Sequence, residues 1–301
     1  MDKLRILVTG GGSPGTAGTL YSLKGHYVVC TDVKDNVPGK YLADKFYQIA
    51  PAWRDWYISN IEAICHRENI DVILPQNTAE LDILLKESPV PCAVNRNITK
   101  DEVSEGRWVE GAEDIMSLGW DRFVVKPPNM SGGRGVRIVS DNRDFFRKPG
   151  IPIVTVDELI GDMHDFFELW AMPFYEGTEF TVDCFNGKSG FTAIPRTREE
   201  IRSGISFTGR VVKDVDLIDK CRGLTEDLGL KYAFGFQFIG GNVLECNPRV
   251  QGTMVVSTLA GANMIEAACF EALGIDYPPF DINWDLSFTR YWGMIADGKR
   301  I

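Results

Sequence analysis

The opening of the chain constrains the fold most, because an apolar strand, a glycine-rich turn and a helix follow one another there. Residues 4–9 read LRILVT, the stretch GGGSPGTAG comes next, and a helical segment, TLYSLKG, leads into HYVVCTD. A strand, a glycine loop, a helix and a second strand form the repeating unit of parallel, doubly wound sheets. The sequence therefore predicts that the chain begins with an α/β domain.

Further elements of the same kind extend this domain to residue 95. We predict a helix at 55–69, a third buried strand at IDVILP and a fourth strand at VPCAVN. The loop PQNTAE opens another helix, ELDILLKE, between those two strands. Residues 1–95 are therefore interpreted as one βαβ-type domain.

After residue 95 the pattern changes to predominantly antiparallel β-structure. DRFVVKPP and GVRIVS are predicted to be the two strands of a hairpin around NMSGGRG. Further strands are predicted at EFTVDCF, SGFTAIP, GRVVKD, FGFQFIG and NVLECN. Helices are predicted at 214–229 and 257–273, which end at Gly229 and Gly274. The second part of the chain is thus expected to be α+β.

The composition excludes several classes of protein. The formal net charge is −10, so we expect neither nucleic-acid binding nor broad binding to anionic membranes. The seven cysteines are scattered and contain no CxxC pair, which indicates reduced thiols rather than disulfides or a zinc site. No apolar stretch reaches about 18 residues, and no cleavable signal precedes the first strand. We therefore expect a cytoplasmic protein without a membrane-spanning segment.

The first candidate site is the glycine loop at Gly10, Gly12 and Gly15, with Asp32 at the end of the second strand. Glycines allow a tight turn next to a helix N-terminus, where a pyrophosphate binds, and the acid would contact a ribose hydroxyl. Alone, these residues suggest an NAD-dependent dehydrogenase or epimerase. The alternative is a purely structural turn, because any βαβ unit needs one here.

The second candidate site is Lys126 together with the glycine-rich segment at residues 129–135, NMSGGRG. A strand delivers the lysine, and backbone N–H groups of such a hairpin tip can surround phosphate oxygens. It is not a Walker A loop, since no Lys-Ser or Lys-Thr follows the last glycine. A plain hairpin with a glycine-rich tip is the alternative interpretation.

The third candidate site combines Gln237 with the sequence LECNPRV at 244–250. On a strand, Glu245 and Asn247 point to one face while Cys246 points to the other. Two oxygen donors on one face, supplemented by phosphate oxygens, suit Mg²⁺, and Arg249 follows where it could meet a phosphoryl group. A solvated edge strand that ends in an Asn-Pro turn remains the alternative.

The three sites occur in a characteristic order, with Met172–Tyr175, Glu179 and Asp183 between the second and the third. In this order the sequence resembles the ATP-grasp superfamily, most closely ligases similar to the carbamoyl phosphate synthetase large subunit. The resemblance implies a Rossmann-like pre-ATP-grasp domain at 1–95 and two α+β subdomains of an ATP-grasp fold. Those would be 96–170, with the glycine-rich loop, and 171–301, with the adenine hinge and the metal site.

The resemblance also implies roles for individual residues. Lys126 would contact the α-phosphate of ATP, and Glu179 would contact its ribose. The loop over the β- and γ-phosphates would comprise Ser131, Gly132, Gly133, Arg134 and Gly135, and the adenine hinge would include Met172, Phe174 and Tyr175. Gln237, Glu245 and Asn247 would bind Mg²⁺, with Mn²⁺ as an alternative. Arg249 would act on the transferred phosphoryl group, and Arg196, Arg198, Arg202 and Arg210 are candidate anion-binding arginines, with Arg198 and Arg210 ranked first as catalytic.

In this family the leading glycine loop commonly faces the acceptor substrate rather than NAD. The resemblance therefore suggests Gly12 and Ser13 as substrate contacts. The segment Gln76–Glu80 follows the third predicted strand, at the edge where parallel sheets place ligands, so Gln76, Asn77 and Glu80 are further candidates. Asn77 or Thr78 could instead simply cap a helix.

The sequence also departs from the family pattern. The segment 96–125 is short, which puts the role of Lys100 as a further basic residue in doubt, and Gly252 stands where related synthetases carry another arginine. With one grasp unit and no glutaminase triad, the chain is not expected to be a complete carbamoyl phosphate synthetase.

The resemblance implies an ATP-dependent carboxylate–amine or carboxylate–thiol ligase that acts through an acyl phosphate. It implies small-molecule or peptide substrates and leaves a homodimer open. A catalytically silent ATP-binding regulatory subunit and an NAD-dependent dehydrogenase or epimerase are the alternatives.

Overall fold

A parallel sheet opens the chain in the computed structural model, which describes residues 3–128, 134–142, 151–162, 168–291, 293–296 and 299–300. Its elements are β1 (Arg5–Val8), α1 (Thr16–Ser22), β2 (Tyr27–Asp32), α2 (Pro38–Leu42), β3 (Lys45–Gln48), α3 (Tyr57–Glu68), β4 (Val72–Leu74) and α4 (Leu81–Glu87). A 3₁₀ turn at Thr78–Glu80 precedes α4. The strands lie in the order β3-β2-β1-β4 and are all parallel, which confirms the α/β prediction.

The two faces of this sheet are covered by different parts of the chain. Because side chains alternate along a strand, Leu7 of β1 points to one face while Ile6 and Val8 point to the other. Leu7 packs with α3 and α4, in a core that includes Ile61 and Leu84. Ile6 and Val8 share a core with helices from the end of the chain. The leading sheet is therefore joined to the last third of the protein through a common hydrophobic core.

Two details of this region differ from the sequence prediction. The strand β3 was not predicted, because KFYQ is only half-buried and offers no apolar run. The predicted strand VPCAVN is reduced to a single bridge between Ile73 and Cys92. Pro89 and Pro91 lack the N–H donors that a longer ladder would need.

A second sheet spans residues 107–173. Its elements are β5 (Arg107–Val109), α5 (Ala112–Met116), β6 (Phe123–Lys126), β7 (Arg137–Val139), β8 (Ile153–Val154), α6 (Val156–Asp162) and β9 (Leu169–Pro173). The order is β5-β9-β6-β7-β8, and β6 and β7 form the predicted antiparallel hairpin. Residues 129–133, within the loop of this hairpin, lie outside the described residues.

The last part of the chain is built mainly of antiparallel strands. Its elements are β10 (Glu179–Gly187), β11 (Gly190–Thr197), β12 (Glu200–Arg202), β13 (Ile205–Arg210), α7 (Val215–Leu228), β14 (Tyr232–Ile239), β15 (Asn242–Asn247), α8 (Val255–Leu259), α9 (Met264–Ala272), β16 (Ser287–Thr289), β17 (Ile295–Ala296) and β18 (Lys299–Arg300). The main sheet has the order β11-β10-β14-β15, and a smaller sheet has the order β12-β13-β16. The predicted helix at 214–229 corresponds to α7, which ends at Gly229.

The prediction of a single helix at 257–273 is wrong, because two helices, α8 and α9, occupy this region. Gly261 has φ +98, a left-handed conformation that terminates α8. The side chain of Asn263 then accepts a hydrogen bond from the backbone N–H of Glu266 and caps α9. The interruption between α8 and α9 is therefore determined by a glycine that ends one helix and an asparagine that caps the next.

An α/β region followed by α+β structure is thus confirmed. The boundary at 95/96 lies between α4 and β5, and the boundary at 170/171 lies within β9. The division into 1–95, 96–170 and 171–301 remains a prediction. Among the described residues, no helix is both long and apolar enough to cross a membrane.

Candidate functional site

One face of the main antiparallel sheet carries polar side chains in register. Arg196 lies opposite Thr181, Thr181 opposite Gln237, and Gln237 opposite Glu245 on four neighbouring strands. Paired residues project to the same side of a sheet, so these four side chains form one row. Asn247 lies two residues beyond Glu245 on β15 and belongs to the same face. The sheet thus brings the three predicted metal-binding residues onto one surface.

The opposite face of the same strands is apolar. Phe236 and Phe238 of β14 are fully buried there, and Cys221 of α7 lies in the same core. Cys246 packs against this core, on the side away from Glu245 and Asn247. The alternation predicted for β15 is therefore present, and it anchors the polar face to the hydrophobic interior.

Lys126 connects the second sheet with this polar face. Its Nζ lies 2.8 Å from Oε2 of Glu245, and the two side chains are 14% and 32% exposed. Burial by itself raises the pKa of Glu245, but the charge and hydrogen bond of Lys126 outweigh it and lower that pKa below its ordinary value. Glu245 is therefore held as an anion beside a cation from another sheet.

A chain of hydrogen bonds continues from this ion pair. Nδ2 of Asn247 donates to Oε1 of Glu245 at 3.3 Å, and Nη2 of Arg249 donates to Oδ1 of Asn247 at 3.4 Å. Burial lowers the pKa of Arg249, although the charges of Glu245 and Glu80 act in the opposite direction. The residues assigned to phosphate, metal and phosphoryl group thus form one connected polar cluster.

Lys100 lies beside this cluster, despite the shortness of the segment that carries it. Its Nζ donates to the carbonyl oxygens of Pro127 and Pro128 at 3.1 and 3.3 Å, and it lies 5.7 Å from the ring centre of Trp108. Burial, followed by the charge of Lys126, lowers the pKa of Lys100 to about 8. Two lysines therefore converge at the base of the glycine hairpin.

The predicted phosphate loop is only partly described. Ser131, Gly132 and Gly133 lie outside the described residues, while Arg134 and Gly135 lie in an exposed turn that leads into β7. Lys126 ends β6 on the other side of the loop. The hairpin therefore places the described end of the predicted loop, at Arg134 and Gly135, near the lysine strand.

The predicted adenine hinge begins on β9, beside the lysine strand. Met172 is buried and lies opposite Val124 of β6. Phe174 continues this pairing through its N–H, which donates to the carbonyl oxygen of Arg122. The hydroxyl of Tyr175 donates to Glu105 at 3.1 Å, and burial together with this contact raises the pKa of Tyr175 to about 12.

Glu179, predicted to bind the ribose, forms an ion pair with Arg198 at 3.0 Å. Arg198 is only 5% exposed and also donates to the hydroxyl of Thr181 and the carbonyl oxygen of Gly204. Burial lowers the pKa of Arg198, and Glu179 opposes that shift. Arg198 thus lies beside the polar face, and its role as an anion-binding arginine stays a prediction.

The other three candidate arginines have different surroundings. Arg196 is completely buried and donates twice to the carboxylate of Asp183, which also accepts a hydrogen bond from Ser257. Arg202 pairs with Glu200 and is 53% exposed, and Arg210 pairs with Glu199 and is 63% exposed. Of the two arginines ranked first, Arg198 contacts Thr181 on the polar face, whereas the side chain of Arg210 is exposed at the end of β13.

The leading glycine loop is closed by its own chain. The N–H of Gly12 donates to Oδ2 of Asp32 at 2.7 Å, and the N–H of Lys34 donates to the other oxygen. The Ser13 hydroxyl accepts a hydrogen bond from Gly15 at 3.4 Å. Asp32 therefore stabilises this loop, and both of its carboxylate oxygens, which would contact the ribose in the dinucleotide interpretation, accept backbone hydrogen bonds instead.

The segment after β4 is held by buried hydrogen bonds. Gln76 is 5% exposed, donates to the carbonyl oxygen of Thr9 and accepts from the hydroxyl of Thr19. Asn77 is exposed and caps the 3₁₀ turn, as the alternative interpretation predicted. Glu80 is 6% exposed and accepts a hydrogen bond from Thr9 at 2.5 Å. Burial raises the pKa of Glu80 to about 7, against the hydrogen bond from Thr9, which lowers it.

The glycine loop also contacts the segment that follows the metal strand. A Cβ atom on Gly15 would lie 2.6 Å from the Cα of Gly252, so the two backbones approach too closely for any other residue at position 15. Nη2 of Arg290 donates to the carbonyl oxygens of Pro14 and Gly252, both at 3.1 Å. The leading domain and the end of the metal strand are therefore fastened together.

Comparison with protein families agrees with this geometry. Residues 165–286 match the family described as ATP-grasp in the biosynthetic pathway with Ter operon. Residues 6–91 match the family described as PylC-like, N-terminal domain. The chain carries an ATP-grasp domain behind a PylC-like N-terminal domain. The resemblance to the ATP-grasp superfamily is thereby confirmed, and the finer likeness to carbamoyl phosphate synthetases stays a prediction.

Solved structures share the same fold. An N5-carboxyaminoimidazole ribonucleotide synthetase in complex with ADP has a TM-score of 0.71 and 16% identity, over 95% of this chain and 81% of its own. The Staphylococcus aureus N5-carboxyaminoimidazole synthetase with ADP gives 0.68 and 17%, over 92% and 79%. An L-amino acid ligase from Bacillus licheniformis gives 0.63 and 12%, over 91% and 75%. No curated protein matches the chain closely enough to count as a relative.

Two features of this ATP-grasp protein escaped the sequence interpretation. Arg290 follows β16 directly and belongs to no motif, so only the tertiary structure reveals its contacts with Pro14 and Gly252. The buried pair of Asp183 and Arg196 had a detectable signal, since Asp183 lies within the largely apolar stretch VDCF of β10 and Arg196 follows the apolar stretch AIP of β11. Opposite charges inside consecutive apolar strands indicate a buried ion pair.

Proposed function

We propose that this ATP-grasp protein is an ATP-dependent ligase that joins a small carboxylate to an amine. In the first step a carboxylate oxygen forms a bond to the γ-phosphorus, and the bond from that phosphorus to the bridging oxygen of ADP breaks. In the second step the amine attacks the acyl carbon, phosphate leaves, and the amine proton passes to solvent or a base. A thiol acceptor would follow the same route.

The observation that carries this proposal is the connected cluster of Lys126, Glu245, Asn247 and Arg249. A phosphoryl group in transfer carries negative charge on its oxygens, so catalysis depends mainly on positioning and on nearby cations. Lys126 and Arg249 supply two cations at opposite ends of one short chain of hydrogen bonds. A plain hairpin and a solvated edge strand would not require this convergence.

The nucleotide would lie between the second sheet and the polar face. We assign Lys126 to the α-phosphate, Glu179 to the ribose and the β9 hinge to adenine. The residues assigned to the phosphate loop are Ser131, Gly132, Gly133, Arg134 and Gly135, and those assigned to the hinge are Met172, Phe174 and Tyr175. The ADP complexes of the similar synthetases support ATP as the co-substrate.

The donor chemistry of Gln237, Glu245 and Asn247 fits Mg²⁺. The set offers one carboxylate, which Lys126 keeps ionised, and two amide oxygens, so phosphate oxygens are needed to complete six-fold coordination. When bound, the metal ion would neutralise charge on the β- and γ-phosphates. Mn²⁺ accepts the same ligands.

The acceptor substrate is assigned to the region beside the leading glycine loop, with Gly12, Ser13 and Asn77 as direct contacts. Gln76 and Glu80, also suggested by the sequence, would shape this site from behind because both are buried. Arg198 and Arg210 are proposed to bind substrate anions. Arg198 has the stronger support, since it lies next to Thr181 on the polar face.

The NAD-dependent alternative has less support. The glycine loop is packed against Gly252, and Asp32 is engaged with the backbone of Gly12 and Lys34. A dinucleotide would have to displace both contacts. A regulatory subunit would bind ATP in the same way, and only turnover distinguishes it from a ligase.

Thermal unfolding with nucleotides tests the proposal. Mg-ATP at 100 times its dissociation constant should add about 2.7 kcal/mol of stability, whereas NAD should add none. ADP release should then be screened against pairs of small carboxylates and amines, with Lys126→Met as the control. Stabilisation by NAD and not by ATP would overturn the ligase assignment, and ATP binding without turnover on any pair would favour the regulatory subunit.

A further inference from the structure

The turn Pro248–Gly252, which follows the metal strand, is held by the leading domain at separate points. Nδ2 of Asn95 donates to the carbonyl oxygen of Pro248 at 3.3 Å. Nε of Arg249 donates to Oγ1 of Thr78 at 3.0 Å. The backbone of Gly252 lies against Gly15. Residues far apart in the chain thus fix the short segment that carries the phosphoryl-binding arginine.

The guanidinium group of Arg249 has five N–H donors, and its contacts within the described residues use three nitrogens. Nε binds Thr78, Nη1 donates to the carbonyl oxygen of Val250 at 3.0 Å, and Nη2 donates to Asn247 at 3.4 Å. One N–H on each terminal nitrogen is left for a ligand. The contact at Nε comes from the leading domain, whereas the other two come from the neighbouring residues of Arg249.

Thr78 is itself firmly placed. It begins the 3₁₀ turn, Asn77 caps that turn, and the N–H of Leu81 donates to the carbonyl oxygen of Thr78. Glu80, at the end of the turn, is buried and bonded to Thr9 beneath the glycine loop. The hydroxyl that meets Arg249 is therefore attached to a rigid part of the leading domain.

We propose that Thr78 is a positioning residue that orients the Arg249 guanidinium toward the γ-phosphoryl group. This inference rests on the proposed function. The planar guanidinium group includes Nε and turns as one rigid unit about the Cγ–Cδ and Cδ–Nε bonds, so a fixed partner at Nε determines the direction of the two remaining donors. The segment 76–80 therefore acts on phosphoryl transfer through Arg249, in addition to any contact with the acceptor.

Affinity for two nucleotides tests this role without knowledge of the acceptor. Calorimetry would compare Mg-ADP with the Mg complex of the non-hydrolysable β,γ-imido analogue of ATP, using the full-length protein. Thr78→Val removes the hydroxyl while conserving shape. It should weaken binding of the ATP analogue about fivefold or more, as expected for one lost hydrogen bond to a charged group, and leave ADP binding unchanged. Thr78→Ser should restore the affinity, because it retains the hydroxyl.

Thr258→Val is the matched control. Thr258 shares a 2.8 Å hydrogen bond with Ser22, so its removal breaks another hydroxyl contact between the leading domain and the grasp domain, away from Arg249. This variant should bind both nucleotides like the wild type. If Thr78→Val melts far below the wild type, Thr78→Ala provides the same comparison with a smaller side chain.

The outcomes separate this inference from the proposed function. A wild-type protein that binds neither nucleotide refutes the ligase assignment and the inference with it. The positioning role alone is overturned if the wild type binds both nucleotides and the Thr78 variants keep the wild-type ratio of the two affinities. That ratio is kept when neither affinity changes and when both fall by the same factor. Loss confined to the ATP analogue, with rescue by serine, is the result expected from the geometry.

Discussion

Lys126 and Glu245 form an ion pair of 2.8 Å between strands of two different sheets. Lys126 is assigned to the nucleotide phosphates and Glu245 to the metal ion. Without nucleotide, their opposite charges therefore neutralise each other. We expect the pair to separate when nucleotide binds, as Lys126 turns to a phosphate and Glu245 to Mg²⁺. Each charge is thereby kept paired in a partly buried environment before and after binding.

The first prediction concerns Glu245→Gln, which conserves volume and removes the charge. With a competent substrate pair, ADP release should fall by about 10²-fold or more, in line with the loss of a single electrostatic contact in other enzymes. The protein should remain folded, because the opposite face of β15 supplies the packing. Asn247→Ala should impair turnover similarly.

Cys246→Ala is the control for that prediction. Cys246 lies on the apolar face, so its truncation should lower the melting temperature and leave the rate of ADP release intact. Near-normal ADP release by Glu245→Gln would show that the metal assignment is wrong. If the Glu245→Gln variant unfolds instead, Glu245 is a structural carboxylate.

The second prediction concerns Lys100, whose pKa is lowered to about 8 by burial and by Lys126. Only the protonated amine attracts phosphate, so affinity for Mg-ATP should decline between pH 7 and pH 9, by up to about tenfold. Lys100→Arg should flatten this profile, because a guanidinium group stays charged throughout that range. Lys86→Arg, at an exposed position, should leave the profile unchanged. Identical profiles for the wild type and Lys100→Arg would show that the charge of Lys100 does not contribute to binding the nucleotide.

The third prediction follows from the buried carboxyl of Glu80, whose pKa is raised from 4.5 to about 7. The folded state then binds the proton more tightly than the unfolded state, so stability falls as the pH rises from about 4.5 to 7. The difference between these two pKa values corresponds to about 3 kcal/mol in the free energy of unfolding. Glu80→Gln should remove this loss, as measured by urea unfolding at pH 5 and pH 8.

Glu62→Gln, on the exposed side of α3, serves as the comparison for Glu80 and should keep the wild-type pH dependence. If Glu80→Gln keeps it as well, Glu80 is ionised in the folded protein at all these pH values. In that case its hydrogen bond from Thr9, rather than a bound proton, would stabilise the carboxylate.

The fourth prediction concerns the completely buried pair of Asp183 and Arg196. Asp183→Ala leaves a buried cation without its carboxylate and should destabilise the fold by about 3–5 kcal/mol in urea unfolding. The exposed pair of Glu200 and Arg202 provides the contrast, since Glu200→Ala should cost less than about 1 kcal/mol. Equal losses in the two variants would mean that solvent or another group compensates Arg196.

Local patterns in the sequence were sufficient for most individual elements. The two-residue period of a strand placed Glu245 and Asn247 on one face and Cys246 on the other, and Gly229 marked the end of α7 correctly. The prediction failed where a local pattern was weak or misread. KFYQ lacks an apolar run, the prolines limit VPCAVN to one bridge, and Gly261 with Asn263 divides the last predicted helix.

The sequence by itself determined which side chains leave each strand on the same side, because that depends on backbone geometry over a few residues. Only the tertiary structure decided that Lys126 meets Glu245, that Thr78 meets Arg249 and that Arg290 joins Pro14 to Gly252. These partners are separated by long stretches of chain, and their contacts arise when separate sheets pack on shared cores. Hydrophobic burial fixes that packing without regard to sequence distance, so no local pattern carries the information.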